Sequence, residues 1–237
     1  MQLDIIGASP AWPNPDEAHA GYLVTGHDGR RLLLDCGPGV LSRLRGRDLL
    51  PIDAIAITHL HLDHWGDLVP WCWLHRGLAE HRGDRPELWL PPGGRAALAT
   101  YGELFGRARM FDDAFAASEY SGREYFETTG VKVQAIPVAH FGVASFGFRV
   151  VGDATLGYSG DTAPCESLHD IARDADLFLC ESTLAEASED ANPRGHMTAA
   201  EACEAAGSTR LLLTHRPREL GPTDIAPVAT AGMQISL

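Results

Sequence analysis

The sequence predicts an α/β (α+β) fold in which two β-sheets pack face to face and helices cover their outer surfaces. Short apolar segments with strand-like composition recur along the chain, and turn signals such as Asp28-Gly29 and Gly152-Asp153 join some of them. Segments with helical apolar spacing separate others. When helices cover the outer surfaces of two packed sheets, both faces of each sheet are buried. The alternation of strand and helix segments along the chain favours this arrangement. We expect residues 1–237 to form a single domain.

The predicted elements follow these patterns in chain order. We expect strands over Leu3–Gly7, Gly21–Thr25, Arg31–Asp35, Ile52–Ile57, Glu87–Leu90, Val131–Val138, Ser145–Val151, Ala154–Tyr158, Asp176–Cys180, Arg210–Leu213 and Met233–Leu237. We expect helices over Val40–Arg45, Leu68–Leu78, Arg95–Phe105, Leu168–Arg173 and Thr198–Ala206. The segment Arg107–Tyr125 is interpreted as a lid over the site.

The composition is that of a globular protein. Apolar residues make up 45% of the chain and charged residues 22%, and no apolar run approaches the ~18 residues that span a bilayer. Asp4 stands where a signal peptide would carry bases, and the five cysteines form no CxxC motif, so we expect a cytoplasmic protein with reduced thiols. The formal net charge of −13 argues against an extended nucleic-acid surface and against anionic membranes.

Residues 58–64, Thr-His-Leu-His-Leu-Asp-His, carry the densest chemical signal in the chain. They place four good metal ligands, His59, His61, Asp63 and His64, directly after an apolar strand. Imidazoles and a carboxylate without a thiolate suit Zn²⁺, with Mn²⁺ or Fe²⁺ as alternatives. This density of ligands favours metal binding over a solvated polar loop.

Three later residues, His140, Asp161 and His215, also follow predicted strands. A single histidine in such a place is more often a surface or core residue, and Asp161 could be only a turn residue. Together with the first cluster, however, they complete the donor sets of two ions. One ion would take His59, His61 and His140, and the other would take Asp63, His64 and His215, while Asp161 would bridge the two.

This order of ligands resembles the metallo-β-lactamase superfamily, whose pattern is HxHxDH followed by a His, an Asp and a final His. All seven positions match, and Leu34-Asp35-Cys36-Gly37-Pro38-Gly39 resembles the early glycine-rich turn of that superfamily. The resemblance implies a four-layer αββα sandwich with two divalent metal ions at one sheet edge. The β-lactamases proper carry Cys or lack the bridging carboxylate where Asp161 stands, so the resemblance disfavours antibiotic hydrolysis.

Two more segments are similar to ribonuclease Z and its small phosphodiesterase relatives. They are Leu179-Cys180-Glu181-Ser182-Thr183 and Gly195-His196-Met197-Thr198-Ala199-Ala200-Glu201. The resemblance implies that His196 contacts the scissile phosphate or protonates the leaving group, and that Glu181 orients it. Alternatively, His196 is only a residue at the N-terminus of a helix, and Glu181 is only a surface acid at a strand end. The segments at residues 7–13 and 158–162 also resemble compact bacterial cyclic-nucleotide phosphodiesterases.

The expected chemistry is metal-assisted phosphodiester hydrolysis, in which Asp63 or the bridging Asp161 holds the attacking water in line and His196 assists the leaving group. The net charge of −13 and the lack of a basic arm favour a small substrate such as a cyclic nucleotide. Activity on tRNA 3′ ends, thioester or lactone hydrolysis, and a non-catalytic metal-binding module stay open as alternatives. A homodimer is a further expectation, and the role of residues 216–232 stays open.

Four other side chains could contact a substrate. Trp12 and Trp65 could stack on a base or simply pack, and Arg216 and Arg218 could reach a phosphate or lie at the surface. His19, in a proline-rich loop, is interpreted as part of the scaffold.

Overall fold

The computed structural model describes residues 1–77 and 85–237. Its strands are β1 (Gln2–Gly7), β2 (Gly21–Thr25), β3 (Arg31–Leu34), β4 (Ala54–Ala56), β5 (Glu87–Leu90), β6 (Ala116–Glu119), β7 (Tyr125–Thr128), β8 (Val131–His140), β9 (Val143–Val151), β10 (Thr155–Tyr158), β11 (Leu177–Glu181), β12 (Leu211–Thr214) and β13 (Gln234–Ser236). Its α-helices are α1 (Val40–Gly46), α2 (Leu62–Trp65), α3 (Leu68–Gly77), α4 (Gly94–Glu103), α5 (Met110–Ala114), α6 (Ser167–Ala172) and α7 (Ala199–Ala206).

The strands form two mixed sheets. The first has the order β13-β1-β2-β3-β4-β5-β6, and the second has the order β12-β11-β10-β9-β8-β7. In the first sheet the pairing changes from antiparallel to parallel at β3, and in the second it makes the same change at β10. Each sheet therefore contains parallel strands whose carboxyl ends can present loops to a common site.

The alternation of side chains along each strand builds the layers. Leu32 and Leu34 of β3 belong to the core between the two sheets, whereas Leu33 packs with the helices outside the first sheet. A separate cluster packs α6 and α7 against the second sheet. Strands that are buried on both faces have continuous apolar sequences, as β3 does. The four-layer αββα sandwich predicted from the sequence is confirmed.

Helix α7 shows how a local signal fixes an element of this outer layer. Thr198 accepts a hydrogen bond from the Glu201 backbone N–H, and the Glu201 carboxylate accepts one from the Thr198 backbone N–H, which forms a capping box. Ala202 and Ala206, four residues apart, are buried against the second sheet. The cap fixes the start of α7 directly after residues 195–197.

The interpretation of Arg107–Tyr125 as a lid is wrong. Within it, α5 buries Phe111 beneath the first sheet, and β6 is the edge strand of that sheet. The elements were missed because both are too short to show a clear period. Leu78, the last residue of a predicted helix, lies outside the described residues. Across residues 1–77 and 85–237, we find no helix that is long and apolar enough to cross a membrane.

Candidate metal centre

The ligand loop leaves the first sheet after β4 and turns immediately. Backbone around His61 is extended, and α2 then makes a single helical turn that brings Asp63 and His64 back towards the same point. The glycine-rich turn that follows β3 allows this approach. A Cβ atom on Gly37 would lie only 1.9 Å from the Asp63 carbonyl oxygen, so only glycine fits there.

The structure brings all seven predicted ligands together in two groups, in each of which the ligand atoms lie within 4.8 Å of one another. The three-histidine group consists of His59, His61 and His140. The carboxylate group consists of Asp63, His64, Asp161 and His215. Asp161 lies within the same distance of His140, a member of the other group, as its predicted bridging role requires.

Several buried ligand atoms have no hydrogen-bond partner within the protein. They are His59 Nε2, His64 Nε2 and Asp161 Oδ1. His64 Nε2 lies 3.2 Å from Asp161 Oδ2 and 3.4 Å from Asp63 Oδ2. Burying lone pairs and anionic oxygens without partners is costly unless a cation satisfies them. The donor set therefore fits divalent cations, and its nitrogen and oxygen atoms suit zinc, manganese or iron.

The pKa shifts of the three-histidine group and of the two carboxylates agree with the binding of divalent cations. Burial lowers the pKa of His59, His61 and His140, so that these rings stay neutral and keep a lone pair for a cation. Burial acts to raise the pKa of Asp63 and Asp161, but the nearby rings of His64 and His215 hold both well below their usual range. Both carboxylates are therefore ionised.

Asp35 is a functional residue that the sequence interpretation missed. Its Oδ2 accepts hydrogen bonds from His64 Nδ1 at 2.8 Å and from the Tyr158 hydroxyl at 2.7 Å, and its Oδ1 accepts one from the Thr58 backbone N–H at 2.8 Å. Burial acts to lower the pKa of His64, but the Asp161, Asp35 and Asp63 carboxylates raise it well above its usual range. A cation that binds Nε2 would displace the proton there, while Asp35 keeps the proton on Nδ1. The sequence offers one signal for it, an acid that ends the predicted strand Arg31–Asp35.

Three other ligand rings are held in the same way. His140 Nδ1 donates to the Gly195 carbonyl oxygen at 2.7 Å, and His59 Nδ1 lies 3.1 Å from Thr58 Oγ1. His215 Nδ1 lies 2.9 Å from Thr183 Oγ1, whose own proton points to Glu181 Oε2 at 2.7 Å. Each contact occupies Nδ1, so the Nε2 atom of the ring faces the other ligands. His140 Nε2 lies 2.8 Å from His61 Nδ1, and His215 Nε2 lies 3.2 Å from Asp63 Oδ2.

Glu181 and His196 meet beside both groups. Glu181 is fully buried, so the alternative of a surface acid is wrong, and its Oε1 lies 2.9 Å from His196 Nδ1. Burial acts to lower the pKa of His196, but the Glu181 carboxylate raises it to about 9. The His196 ring lies 5.0 Å from that of His140 and 5.6 Å from that of His215. An imidazole whose protonated form is stabilised by a buried carboxylate therefore stands next to the two ligand groups.

Four other side chains that the sequence analysis considered make contacts within the scaffold. Trp65 is buried and donates to the Leu60 carbonyl oxygen, so it packs. Arg216 donates to the Ser182 carbonyl oxygen and Arg218 donates to the Pro15 carbonyl oxygen. The His19 ring lies 3.2 Å from two backbone carbonyl oxygens, which agrees with its predicted scaffold role.

The layer order and the two ligand groups define the class of this protein, which is a metal-dependent hydrolase of the metallo-β-lactamase fold. The beta-lactamase superfamily domain matches residues 30–216, and the chain belongs to that family. An uncharacterized protein of Mycobacterium leprae is 31% identical over 246 residues, which cover 98% of this chain and 83% of that protein.

A relative that has a functional name is a ribonuclease Z of Salinibacter ruber. It is 29% identical over 281 residues, which cover 91% of this chain and 85% of that protein. Among solved structures, the metallo-beta-lactamase fold protein YhfI of Bacillus subtilis superposes with a TM-score of 0.81 at 24% identity. That superposition covers 99% of this chain and 98% of the other. The ribonuclease Z-like character inferred from the sequence is thus confirmed.

Proposed function

We propose that this protein hydrolyses a small phosphodiester, such as a cyclic nucleotide, with two divalent cations held by the two ligand groups. Zn²⁺ suits the donor set best, with Mn²⁺ or Fe²⁺ as alternatives. The observation that carries the proposal is the contact of 2.9 Å between Glu181 and His196 beside both groups. A departing alkoxide needs a proton, whereas a thiolate leaves without one. Similarity to proteins named ribonuclease Z supports a phosphodiester.

The chain supplies positioning and proton transfer. When bound, the cations activate water and neutralise charge on the phosphoryl oxygens. Asp63 accepts a hydrogen bond from the attacking water and keeps it in line with the leaving group. Because His196 Nδ1 is occupied by Glu181, its Nε2 faces the substrate and gives its proton to the departing oxygen. Glu181 orients the ring and stabilises its charge through the same contact.

A panel of substrates tests the proposal directly. Protein purified without chelator is assayed on 3′,5′-cyclic AMP, a chromogenic aryl phosphodiester, a tRNA precursor, a thioester and a lactone, and its metal content is measured by elemental analysis. We expect about two ions per chain and turnover of the small phosphodiesters. Turnover of the thioester or lactone alone, or of the tRNA precursor alone, would contradict the proposed substrate class.

The His196→Ala variant tests the proton transfer. It should keep both ions but lower kcat on cyclic AMP by about 10²–10⁴-fold, the usual scale of general acid catalysis. The loss should be smaller on the aryl diester, because a phenolate is a stable leaving group. His169→Ala, at an exposed position of α6, is the matched control. Equal losses on both substrates would instead indicate that His196 binds the phosphate.

A further inference from the structure

A cavity of about 600 Å³ opens beside the ligand groups, with His196 and His215 among its lining residues. Its walls are otherwise largely apolar, and they include Trp12, Phe141, Leu184 and Leu220. A substrate whose phosphoryl group lies on the candidate ions would extend its remaining part into this space. The residues of the cavity wall therefore indicate the chemistry of the substrate beyond its phosphoryl group.

Trp12 is exposed in an unusual setting. Its side chain is 52% exposed, although the segment that carries it is firmly anchored. The Ala11 carbonyl oxygen lies 3.2 Å from the buried His19 ring, and the buried Asn14 side chain accepts a hydrogen bond from the Arg218 backbone N–H at 2.8 Å and donates one to the Arg216 carbonyl oxygen. A large aromatic ring held open to solvent on a fixed segment is a preorganised stacking surface.

Phe141 supplies a second aromatic wall at a cost to the backbone. It forms the turn between β8 and β9 with Gly142, and both residues have positive φ values, 43° and 77°. Asn or Asp is preferred at such a first turn position, and a bulky residue there is strained. The Phe141 ring lies 5.2 Å from that of His196, and it packs so closely on Gly195 that a Cβ there would lie 2.5 Å from it. Strain of this kind concentrates at functional sites.

The charges around the cavity exclude further phosphates. Glu189, Asp190 and Glu219 line it, and among the residues that the structure describes no lysine or arginine does so. Asp190 is already engaged, because its Oδ2 accepts hydrogen bonds from the backbone N–H groups of Gly195 and His196. His196 is committed to the scissile phosphodiester, so an additional phosphate or an RNA backbone would be repelled by these carboxylates, whereas an uncharged ring would not.

We propose that this cavity binds the uncharged aromatic ring of a substrate that carries a single phosphodiester, and that Trp12 is the residue on which the ring stacks. A nucleobase of a cyclic nucleotide has this chemistry. The inference rests on the proposed function for the position of the phosphoryl group, and it adds a specificity-determining residue that takes no part in proton transfer or metal binding.

Binding measurements on the metal-loaded protein test the inference. The ligands are a cyclic AMP phosphorothioate, which has the ring and resists hydrolysis, and inorganic phosphate, which lacks the ring. Trp12→Ala should raise the Kd of the phosphorothioate about tenfold or more, the scale of one base–aromatic stack, while the Kd of phosphate and the metal content stay unchanged. Trp12→Phe should restore most of the loss. Trp73→Ala, which removes another exposed tryptophan outside the cavity, should behave like wild type.

The outcomes separate this inference from the proposed function. If wild type hydrolyses cyclic AMP but Trp12→Ala binds the phosphorothioate as tightly as Trp73→Ala does, the inference is overturned and the proposed function stands. If wild type hydrolyses no phosphodiester, the proposed function fails, and selective loss of ring binding in Trp12→Ala would still support the cavity. Equal loss of phosphate and phosphorothioate binding would show a general disturbance of the site and overturn the stacking role.

Discussion

The two ligand groups differ in charge and in burial. The carboxylate group has two ionised acids and four buried members, whereas the three-histidine group has no formal charge of its own and includes the partly exposed His61. His61 Nδ1 lies 2.8 Å from Nε2 of the His140 ring, another member of its own group. A cation is held more strongly where buried negative charge faces it, so the two groups should not bind their ions equally.

The hydrogen bonds that orient the ligand rings from behind also differ between the two groups. His64 is backed directly by the Asp35 carboxylate, whereas the His59 ring reaches the same carboxylate only through the Thr58 hydroxyl. A carboxylate behind an imidazole raises its basicity and fixes its orientation, and a hydroxyl or a carbonyl oxygen does so less strongly. The carboxylate group is therefore built to retain its ion, while the three-histidine group depends on Asp161 to attract its own.

Asp161→Ala should have the largest effect, because it removes the one carboxylate that both groups can share. We expect the metal content to fall from about two ions per chain to about one, and turnover to fall by about 10²–10³-fold or more, the cost of losing a major electrostatic stabiliser of the transition state. Elemental analysis and steady-state kinetics measure both quantities. Asp224→Ala, at an exposed position, is the control. If Asp161→Ala kept two ions and full activity, the bridging role assigned to Asp161 would be wrong.

Asp35→Asn should weaken the carboxylate group selectively. The groups around Asp35 donate hydrogen bonds to it, so an amide NH₂ at this position would face donors and could no longer satisfy them all. The affinity of the more tightly held ion should fall by about 10- to 100-fold, the usual cost of disturbing a residue behind a metal ligand. Metal-buffered titration measures it. If only the weaker ion were affected, the assignment of tighter binding to the carboxylate group would be wrong.

Stepwise chelation compares the groups in the unaltered protein. We expect one ion to leave at a chelator concentration about tenfold or more below that needed for the second, because only one group has the Asp63 carboxylate in addition to the shared Asp161. Loading the protein with Co²⁺ in place of the native metal lets absorption spectra follow each step. His61→Ala should remove the weaker step and leave the stronger one in place. Simultaneous release of both ions would show that they bind as one unit.

Thr183→Val should have the smallest effect. The substitution keeps the shape of the side chain but removes the contact to His215 Nδ1, so the ring loses its orientation while its ligand atom remains. We expect a loss of about tenfold or less in the affinity of the carboxylate group. The same titration measures it, with Thr183→Ser as the rescue variant. A loss larger than that of Asp35→Asn would reverse the ranking of the two supports.

The sequence by itself determined the identities of the seven candidate ligands and the layer order. Four ligands stand together in residues 58–64, and the others end apolar strands, so local pattern was enough to find them. Strands and helices with a clear period were placed within a few residues. Where the period was short or weak, as over α5 and β6, the pattern failed because tertiary burial, rather than local propensity, forms those elements.

Only the tertiary structure decided which residues stand behind the candidate ligands and which line the cavity beside them. Asp35 and His64 are 29 positions apart, and Thr183 and His215 are 32 apart, so no local spacing connects them. Trp12 reaches the cavity because the segment around it is tied by Asn14 to Arg216, which is 202 positions away. Such contacts arise where two sheets and their loops pack together, and the energy that fixes them comes from burial distributed over the whole core rather than from any short segment.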